Sequence, residues 1–318
     1  MKLIGGFYEL ELPGPGSGPH PDAVALNTGR ACLMVMLDVL RPKHVHVPFH
    51  TCDATVDPFR ELGIPTSYYS INGDLEPVDL PALDDGEYIL WTNYYGVCGR
   101  TTEKLKQQFG GQLLLDDTHA FFRGSHGPWW SFTSARKYFG VPDGAYLFAP
   151  EDLALDVPRN DRATVDHNVL RLLGRQQEAY AAYLAYEKSL DCSVRRISTV
   201  SEGLLRTIDL DLVRSRRLGN FNYVHGRMGA LNGLTVDPSP DDVPFCYPFW
   251  PKKPVDREAL YRDQLFIPKL WQDALARPEE GFDVERQISV DLLPLPVDHR
   301  YTTTDMARVV DHLLRQLT

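Results

Sequence analysis

Lys137 is the side chain of this sequence best suited to covalent chemistry. It lies in SARKYFGVPDGA (134–145), after Arg136 and before Tyr138, Phe139 and Gly140. An amine beside apolar rings loses hydration, so its pKa falls toward the range in which the neutral form attacks a carbonyl and makes a Schiff base. A lysine alone is ordinarily a solvated charge, so the reading depends on partners elsewhere. Asp116 and Asp117 close the run QLLLDD (112–117), and His119 follows them. A carboxylate at a strand end can hold a proton on a neighbouring group, or can simply cap a helix. Upstream, Gly29-Arg30-Ala31 opens an apolar helix. The first amides and the dipole of such a helix can hold an anion, and the same residues fit a buried helix with an Asn/Thr cap.

The elements that carry these residues alternate. Residues 1–12 alternate enough to be a strand, and PGPGSGPHP (13–21) is a loop whose prolines remove amide donors. Residues 23–26 form a short apolar run, and residues 31–40 form a helix apolar nearly all round. Strands are expected over 44–48, 65–71, 87–96, 112–117 and 144–150, and helices over 53–63 and 101–111, each stopped by a glycine. Short alternation of this kind predicts an α/β fold with a mostly parallel sheet. Ligands then lie outside the carboxyl ends of the strands, at 48–52, 93–96 and 116–119. Residues 170–190 and 200–231 read as amphipathic helices, 238–254 as a proline-rich connection, and 304–317 as a closing helix. The expected division is a large unit over 1–214, with an atypical strand and loop over 1–20, and a smaller α/β unit over 215–318.

Composition removes several classes of partner. A net charge of −10 over 318 residues argues against a general nucleic-acid or anionic-membrane surface. No apolar run is long enough for a transmembrane helix. The five cysteines, Cys32, Cys52, Cys98, Cys192 and Cys246, show no CxxC spacing, which favours reduced thiols and a cytoplasmic location. His44, His46, His50 and Cys52 are divided between a strand and a loop past Pro48, so no metal site is expected there.

A helix N-terminus, a strand-end carboxylate and a lysine amine, in this chain order, are what a pyridoxal 5′-phosphate (PLP) enzyme needs. The lysine carries the aldehyde, the acid keeps the pyridine nitrogen protonated, and the helix takes the phosphate. The chain resembles the DegT-type sugar aminotransferases, fold type I PLP enzymes, in their divergent polysaccharide-cluster branch. The resemblance rests on GGFYELEL, LNTGRACL, VPFHTCDA, TNYYGVCG, LLLDDTHAFF, SARKYFGVPDGA and LPVDHRY, an ordered set spanning most of the chain.

The resemblance implies a transfer of an amino group from an amino-acid donor such as glutamate to a keto sugar, nucleotide-linked as in the family, within a homodimer. It implies that Lys137 is the Schiff-base lysine. Asp116 falls at the pyridine-nitrogen acid, with His119 at the family's Gln/His position beside the ring; Asp117 is the competing assignment. Gly29, Arg30 and Ala31 match the phosphate turn, and Ser131 and Ser134 are candidate phosphate hydroxyls. Phe49, His50 and Cys52 are candidates for flanking the ring, with the usual aromatic position falling on Cys52. The family's Asn-x-Arg segment, which reaches the neighbouring subunit's cofactor, is replaced by VRRIS (194–198), where Arg195 or Arg196 could serve. Two other outcomes stay open: a relative with dehydratase-like chemistry, which typically has histidine at the lysine position, and a cofactor-binding or regulatory protein without turnover.

Overall fold

A computed structural model of the chain describes residues 10–14, 16, 18–124 and 127–317. The elements run β1 (Val24–Leu26), α1 (Gly29–Leu40), β2 (His44–Pro48), α2 (Asp53–Leu62), β3 (Thr66–Ile71), β4 (Pro77–Val78), β5 (Glu87–Thr92), α3 (Gly99–Phe109), β6 (Leu113–Asp116), β7 (Trp130–Ser134) and β8 (Ala145–Phe148). The second half runs α4 (Asp166–Leu172), α5 (Gln176–Ser189), α6 (Thr199–Leu205), α7 (Leu210–Met228), β9 (Cys246–Phe249), α8 (Arg257–Arg262), α9 (Asp283–Asp291), β10 (Leu293–Pro296) and α10 (Thr303–Leu317). The α/β class expected from the alternation is the observed one.

One eight-stranded sheet, in the order β1-β8-β7-β6-β5-β2-β3-β4, organises the first half. The contiguous pairs from β7 through β6, β5 and β2 to β3 are parallel, and β8 runs antiparallel to both β7 and β1. Its central strands are covered on both faces, as a parallel sheet requires, and they read as apolar runs. One face packs on α1, whose Ala31, Cys32, Leu33, Val35, Met36 and Leu37 are buried. The other packs on the C-terminal half, where Trp91, Leu113 and Leu115 join Phe221, Tyr247 and Leu295 in one core.

Several boundaries differ from the sequence reading for local reasons. Residues 1–9 of the expected first strand lie outside the described residues, and 10–12 are irregular. Strand β7 falls in a segment for which no strand is expected. The stretch 170–190 is two helices separated at Gly174, and 200–231 divides where Asp209 caps α7 by accepting the Leu212 amide at 2.9 Å. The boundary expected between residues 214 and 215 falls inside α7. That helix packs against both β9 and α10.

The C-terminal segment 271–289 grips the loop after β2. The Arg277 guanidinium donates to the Phe49 carbonyl at 2.6 Å and to Asp53 at 2.9 Å. Asp273 accepts the Asp53 amide at 3.0 Å, and Phe282 stacks on Phe49 at 4.0 Å with the rings 3° apart. Glu285 accepts the Ile71 amide at 2.7 Å at the end of β3. The clamp is enclosed at Arg277 but open at Asp53, whose side chain is 49% exposed. Arg277→Met strands a buried carbonyl as well as breaking the ion pair, so a loss of about 2–3 kcal/mol is expected. Asp53→Ala removes only the screened side of the pair, at about 1 kcal/mol or less. Denaturant midpoints of the two variants should rank in that order.

Candidate functional site

Three strand ends converge. Strand β6 ends at Asp116, β7 ends at Ser134, and β1 leads through Asn27 and Thr28 into α1. Gly144 joins the last two: its amide donates to the Asn27 carbonyl at 2.8 Å, and its carbonyl accepts from Ala135 at 3.0 Å. Only glycine suits this position, because φ is +121° and a Cβ would lie 2.8 Å from Ile197. The neighbouring Asp143 is fully buried. Its carboxylate accepts from the Ser198 amide and hydroxyl, from Asn160 and from Ser201, so the GVPDG run is a braced turn.

Strand alternation separates the two adjacent acids. Asp116 is buried and accepts the Thr118 amide at 3.0 Å. Burial raises its carboxyl above the ordinary range, opposed by the Thr118 hydrogen bonds and by the positive charge of Lys137. Asp117 instead accepts from Asn93 at 3.1 Å. Burial pushes it up to about 6, against Arg123 and the Asn93 hydrogen bond. Asp116 is therefore the acid that shares an environment with Lys137.

Lys137 ends a short 3-10 turn, Ala135–Lys137, and is exposed. It lines a cleft of about 800 Å³ and makes no hydrogen bond or ion pair among the described residues. The desolvated amine expected from its aromatic flanks is not what forms. Tyr138 and Phe139 turn inward to pack with Phe121 and Tyr146, so the rings shield the backbone and not the amine. Arg136 pairs with Glu187.

His119 is held from several sides. Its carbonyl accepts the Tyr138 hydroxyl at 2.5 Å, and that hydroxyl also lies 2.9 Å from the Val243 carbonyl. Gly96 presses on the same His119 carbonyl: its φ is +68°, and a Cβ there would lie 2.1 Å from that oxygen. Tyr95 before it is also left-handed, at φ 56°. Burial pushes the imidazole well below its ordinary pKa, and Lys137 acts in the same direction, so the ring is neutral. Its Nδ1 is buried without a hydrogen-bond partner.

The phosphate-turn candidates divide. Thr28 caps α1 by accepting the Ala31 amide at 3.1 Å, which withdraws Ala31 from any anion and leaves Gly29 and Arg30 at the tip. A Cβ on Gly29 would lie 3.3 Å from the Phe132 ring and 3.6 Å from Thr118, so a bare backbone lets the tip approach the ends of β6 and β7. The Arg30 side chain leans toward Asp57, at 3.4 Å. Ser131 and Ser134 are three residues apart on one strand and therefore face opposite sides of the sheet. Ser134 shares its side with Phe132 and the Gly29 turn. Ser131 points the other way, with its hydroxyl buried and unpartnered.

Of the three ring-flanking candidates, two are enclosed. Phe49 is stacked on Phe282, and His50 is packed by Tyr94 and Trp271, with Nδ1 3.3 Å from the Ser289 hydroxyl. Burial and then Arg277 push His50 down to about 3. Cys52 remains half-buried at the start of α2, with its sulfur 3.5 Å from Thr55. His44 and His46 are bridged by the Ser67 hydroxyl, at 2.9 and 2.8 Å. The VRRIS backbone lies along this chain's own β1: Arg195 exchanges bonds with Asn27 at 2.9 and 3.2 Å, and Ile197 donates to Ala25 at 3.2 Å. Sequence reasoning pointed to Gly96, within 93–96, and to Tyr138, beside Lys137, but missed Phe245 and Trp271 as parts of this site. Only the proline-rich connection over 238–254, which holds Phe245, hinted that its loop is fixed.

No family model matches this sequence, and no curated protein matches it. Solved structures do. The sugar aminotransferase CalS13 from Micromonospora echinospora superposes with a TM-score of 0.65 at 15% identity, covering 92% of this chain and 87% of that one. DesV from S. venezuelae, solved with a ketimine intermediate, gives 0.61 at 18% identity over 93% and 84%. Spr1654 from Streptococcus pneumoniae in its PLP form gives 0.62 at 13% identity over 91% and 85%. The fold is that of the sugar aminotransferases. The match covers nine-tenths of this chain, so it extends beyond the eight-stranded sheet.

Two outcomes follow from this geometry. Gly96→Ala cannot be accommodated without moving His119, and a loss of about 2–4 kcal/mol is expected from strain and overpacking, read from thermal or denaturant unfolding. Asp117 binds its proton more tightly folded, at about 6, than its ordinary 3.8. Its contribution to stability is therefore present below pH ~4 and is lost as pH rises toward ~6, by up to about 3 kcal/mol. Asp117→Asn should flatten that part of the stability–pH curve, while Asp116→Val should leave the fall attributable to Asp117 in place.

Proposed function

We propose that this chain is a PLP-dependent aminotransferase that moves an amino group from an amino-acid donor, glutamate being the natural candidate, to a keto sugar carried on a nucleotide. The observation that carries the reading is the placement of Lys137 within the electrostatic reach of both Asp116 and His119, with the Gly29 tip of α1 packed against Phe132 and Thr118 at the ends of the same strands. The residues fit the cofactor. A glycine tip can admit a phosphate, a buried acid lacks a full counter-charge, and a neutral imidazole has an unpartnered nitrogen.

When bound, PLP would supply the electron sink that loosens the donor's Cα–H bond. Lys137 would hold the cofactor covalently through Nζ and, once displaced by the donor, move a proton between the donor's Cα and the cofactor as base and then acid. Its exposure in the cleft gives the amine the freedom this requires. Asp116 would sit at the pyridine nitrogen. Burial favours its neutral form, and a protonated ring nitrogen beside it would restore the carboxylate. His119 would offer its neutral ring to the cofactor's phenolic oxygen, and Gly29, Arg30 and Ser134 would take the phosphate with the help of the α1 dipole.

The cleft supports an anionic substrate. Arg136, Lys137, Arg171, Arg217, Arg300 and Arg308 line it against two carboxylates, Asp298 and Asp305, in a chain whose net charge is −10. Such a local reversal of charge suits a diphosphate-linked sugar. We further take the enzyme to be a cytoplasmic homodimer serving surface-polysaccharide or amino-sugar synthesis, with Arg195 beside the Gly29 turn as the replacement for the family's asparagine.

PLP-saturated protein should show a visible absorption band, and borohydride should fix the cofactor on Lys137, found by peptide mapping. Lys137→Ala should lose both, and Asp116→Asn should lower amino transfer about a hundred- to ten-thousandfold. Absence of a Lys137 adduct in the saturated wild type would overturn the reading. An adduct without transfer from glutamate to any nucleotide-linked keto sugar would point to dehydratase-like chemistry or to a cofactor-binding protein instead.

A further inference from the structure

We infer that Phe245 and Trp271, both from the C-terminal half of the chain, are positioning residues that hold the His119 imidazole in a single orientation toward the proposed cofactor. The inference rests on the aminotransferase reading for its consequence, but not for its geometry.

The His119 ring lies between two aromatic side chains from different loops. Phe245 stacks on it with centroids 4.3 Å apart and planes at 18°. Trp271 lies 5.3 Å away at 47°, and Tyr95 6.2 Å away at 37°. Trp271 does not touch His119 alone. Its ring also lies 4.6 Å from His50, 5.4 Å from Tyr94 and 5.1 Å from Tyr95, so it spans the ends of β2, β5 and β6. An aromatic wedge in that position fixes the relative placement of three strand-end loops.

Each wedge residue is itself anchored. Phe245 donates its amide to the Tyr95 carbonyl at 2.9 Å, and its own carbonyl accepts from the buried Arg217 at 3.0 Å. Upstream, Asp242 is tied to Arg123 at 2.8 Å and to the Gly99 amide at 3.2 Å. Trp271 adopts a left-handed backbone, φ 50°, ψ 37°, and its carbonyl accepts the Ser289 hydroxyl at 3.3 Å and the Ala274 amide at 3.1 Å. A left-handed conformation costs a tryptophan energy, so the surrounding contacts must hold it.

The His119 backbone is pinned independently by Gly96 and by the Tyr138 hydroxyl. That leaves only the side-chain torsions to be decided, and Phe245 and Trp271 decide them. Among the described residues the buried Nδ1 has no hydrogen-bond partner, so no bond at that nitrogen does so. A histidine held by packing at a nitrogen without a partner keeps that nitrogen uncommitted for a ligand, and its aim depends on the rings packed against it. The C-terminal half would thereby control the hydrogen bond to the cofactor's phenolic oxygen without contributing a polar group.

Two readouts test this, one of them without cofactor. In the cofactor-free protein, long-range ¹H–¹⁵N spectra should show one set of His119 ring signals in the wild type. Trp271→Ala and Phe245→Ala should broaden or split them, and Trp271→Phe and Phe245→Tyr should restore a single set. In the PLP-loaded protein the Ala variants should shift the visible band and the ratio of its forms, again with rescue by the conservative variants. Should an Ala variant fail to fold, the Trp271→Phe and Phe245→Leu pair carries the test, with Phe245→Leu broadening the signals. Unchanged His119 signals in the folded variants would overturn the inference whatever the cofactor does. A wild type that forms no adduct on Lys137 would remove the aminotransferase reading while the ring signals still judged the positioning role.

Discussion

Two adjacent carboxylates are buried at the end of a central strand, and they cannot share a partner. The pleat sends Asp116 and Asp117 to opposite sides of β6, and each side must answer a charge that burial makes expensive. On one side stand Thr118 and Lys137; on the other, Asn93 and Arg123. This division orders the molecule around it. The Lys137 side becomes an open edge, with Lys137 exposed in the cleft. The Asp117 side becomes a closed polar seam, where Arg123 continues to Asp242 and so ties the strand end to the loop that delivers Phe245.

The C-terminal half acts on the site mainly through packing. Segment 271–289 covers the loop after β2 with an arginine clamp and a ring stack, and its Glu285 carboxylate accepts the Ile71 amide at the end of β3. As a result Phe49 and His50, which look available in the sequence, are interior groups, and Cys52 alone of that trio stays at the open edge. Arg217 plays a related part at the cleft floor. It is fully buried, lies 4.2 Å over the Tyr138 ring, and donates to the carbonyls of Pro244, Phe245 and Tyr138. A guanidinium paid off by three carbonyls instead of a carboxylate links the lysine turn to the β9 approach.

The site combines rigid support with a free amine. His119 is fixed by backbone contacts, Gly144 and Asp143 lock the turn after Lys137, and yet the amine itself extends into the cleft without a partner among the described residues. This arrangement suits a nucleophile that must form and release a covalent bond while its surroundings stay in register. Preorganised walls around a mobile reacting group cost little to reset between steps.

Much of the fold was legible in the amino-acid sequence. Apolar runs bounded by glycine and proline marked most strands of the sheet, and the periodicity of 31–40 marked a buried helix, because these are short-range consequences of side-chain burial and turn chemistry. The order of glycine turn, strand-end acid and lysine was also legible, and it pointed to the edge where the three meet. What tertiary structure decided was which members of each candidate set face that edge. Asp116 over Asp117 and Ser134 over Ser131 follow from pleat direction and sheet placement. Ala31 is removed by a cap, and Phe49 and His50 by a strap more than two hundred residues downstream. Lys137 is exposed although its neighbours are aromatic, because those rings turn into a core assembled from distant strands. Sequence determines the chemistry available at each position; long-range packing, which no local pattern encodes, determines which of it meets.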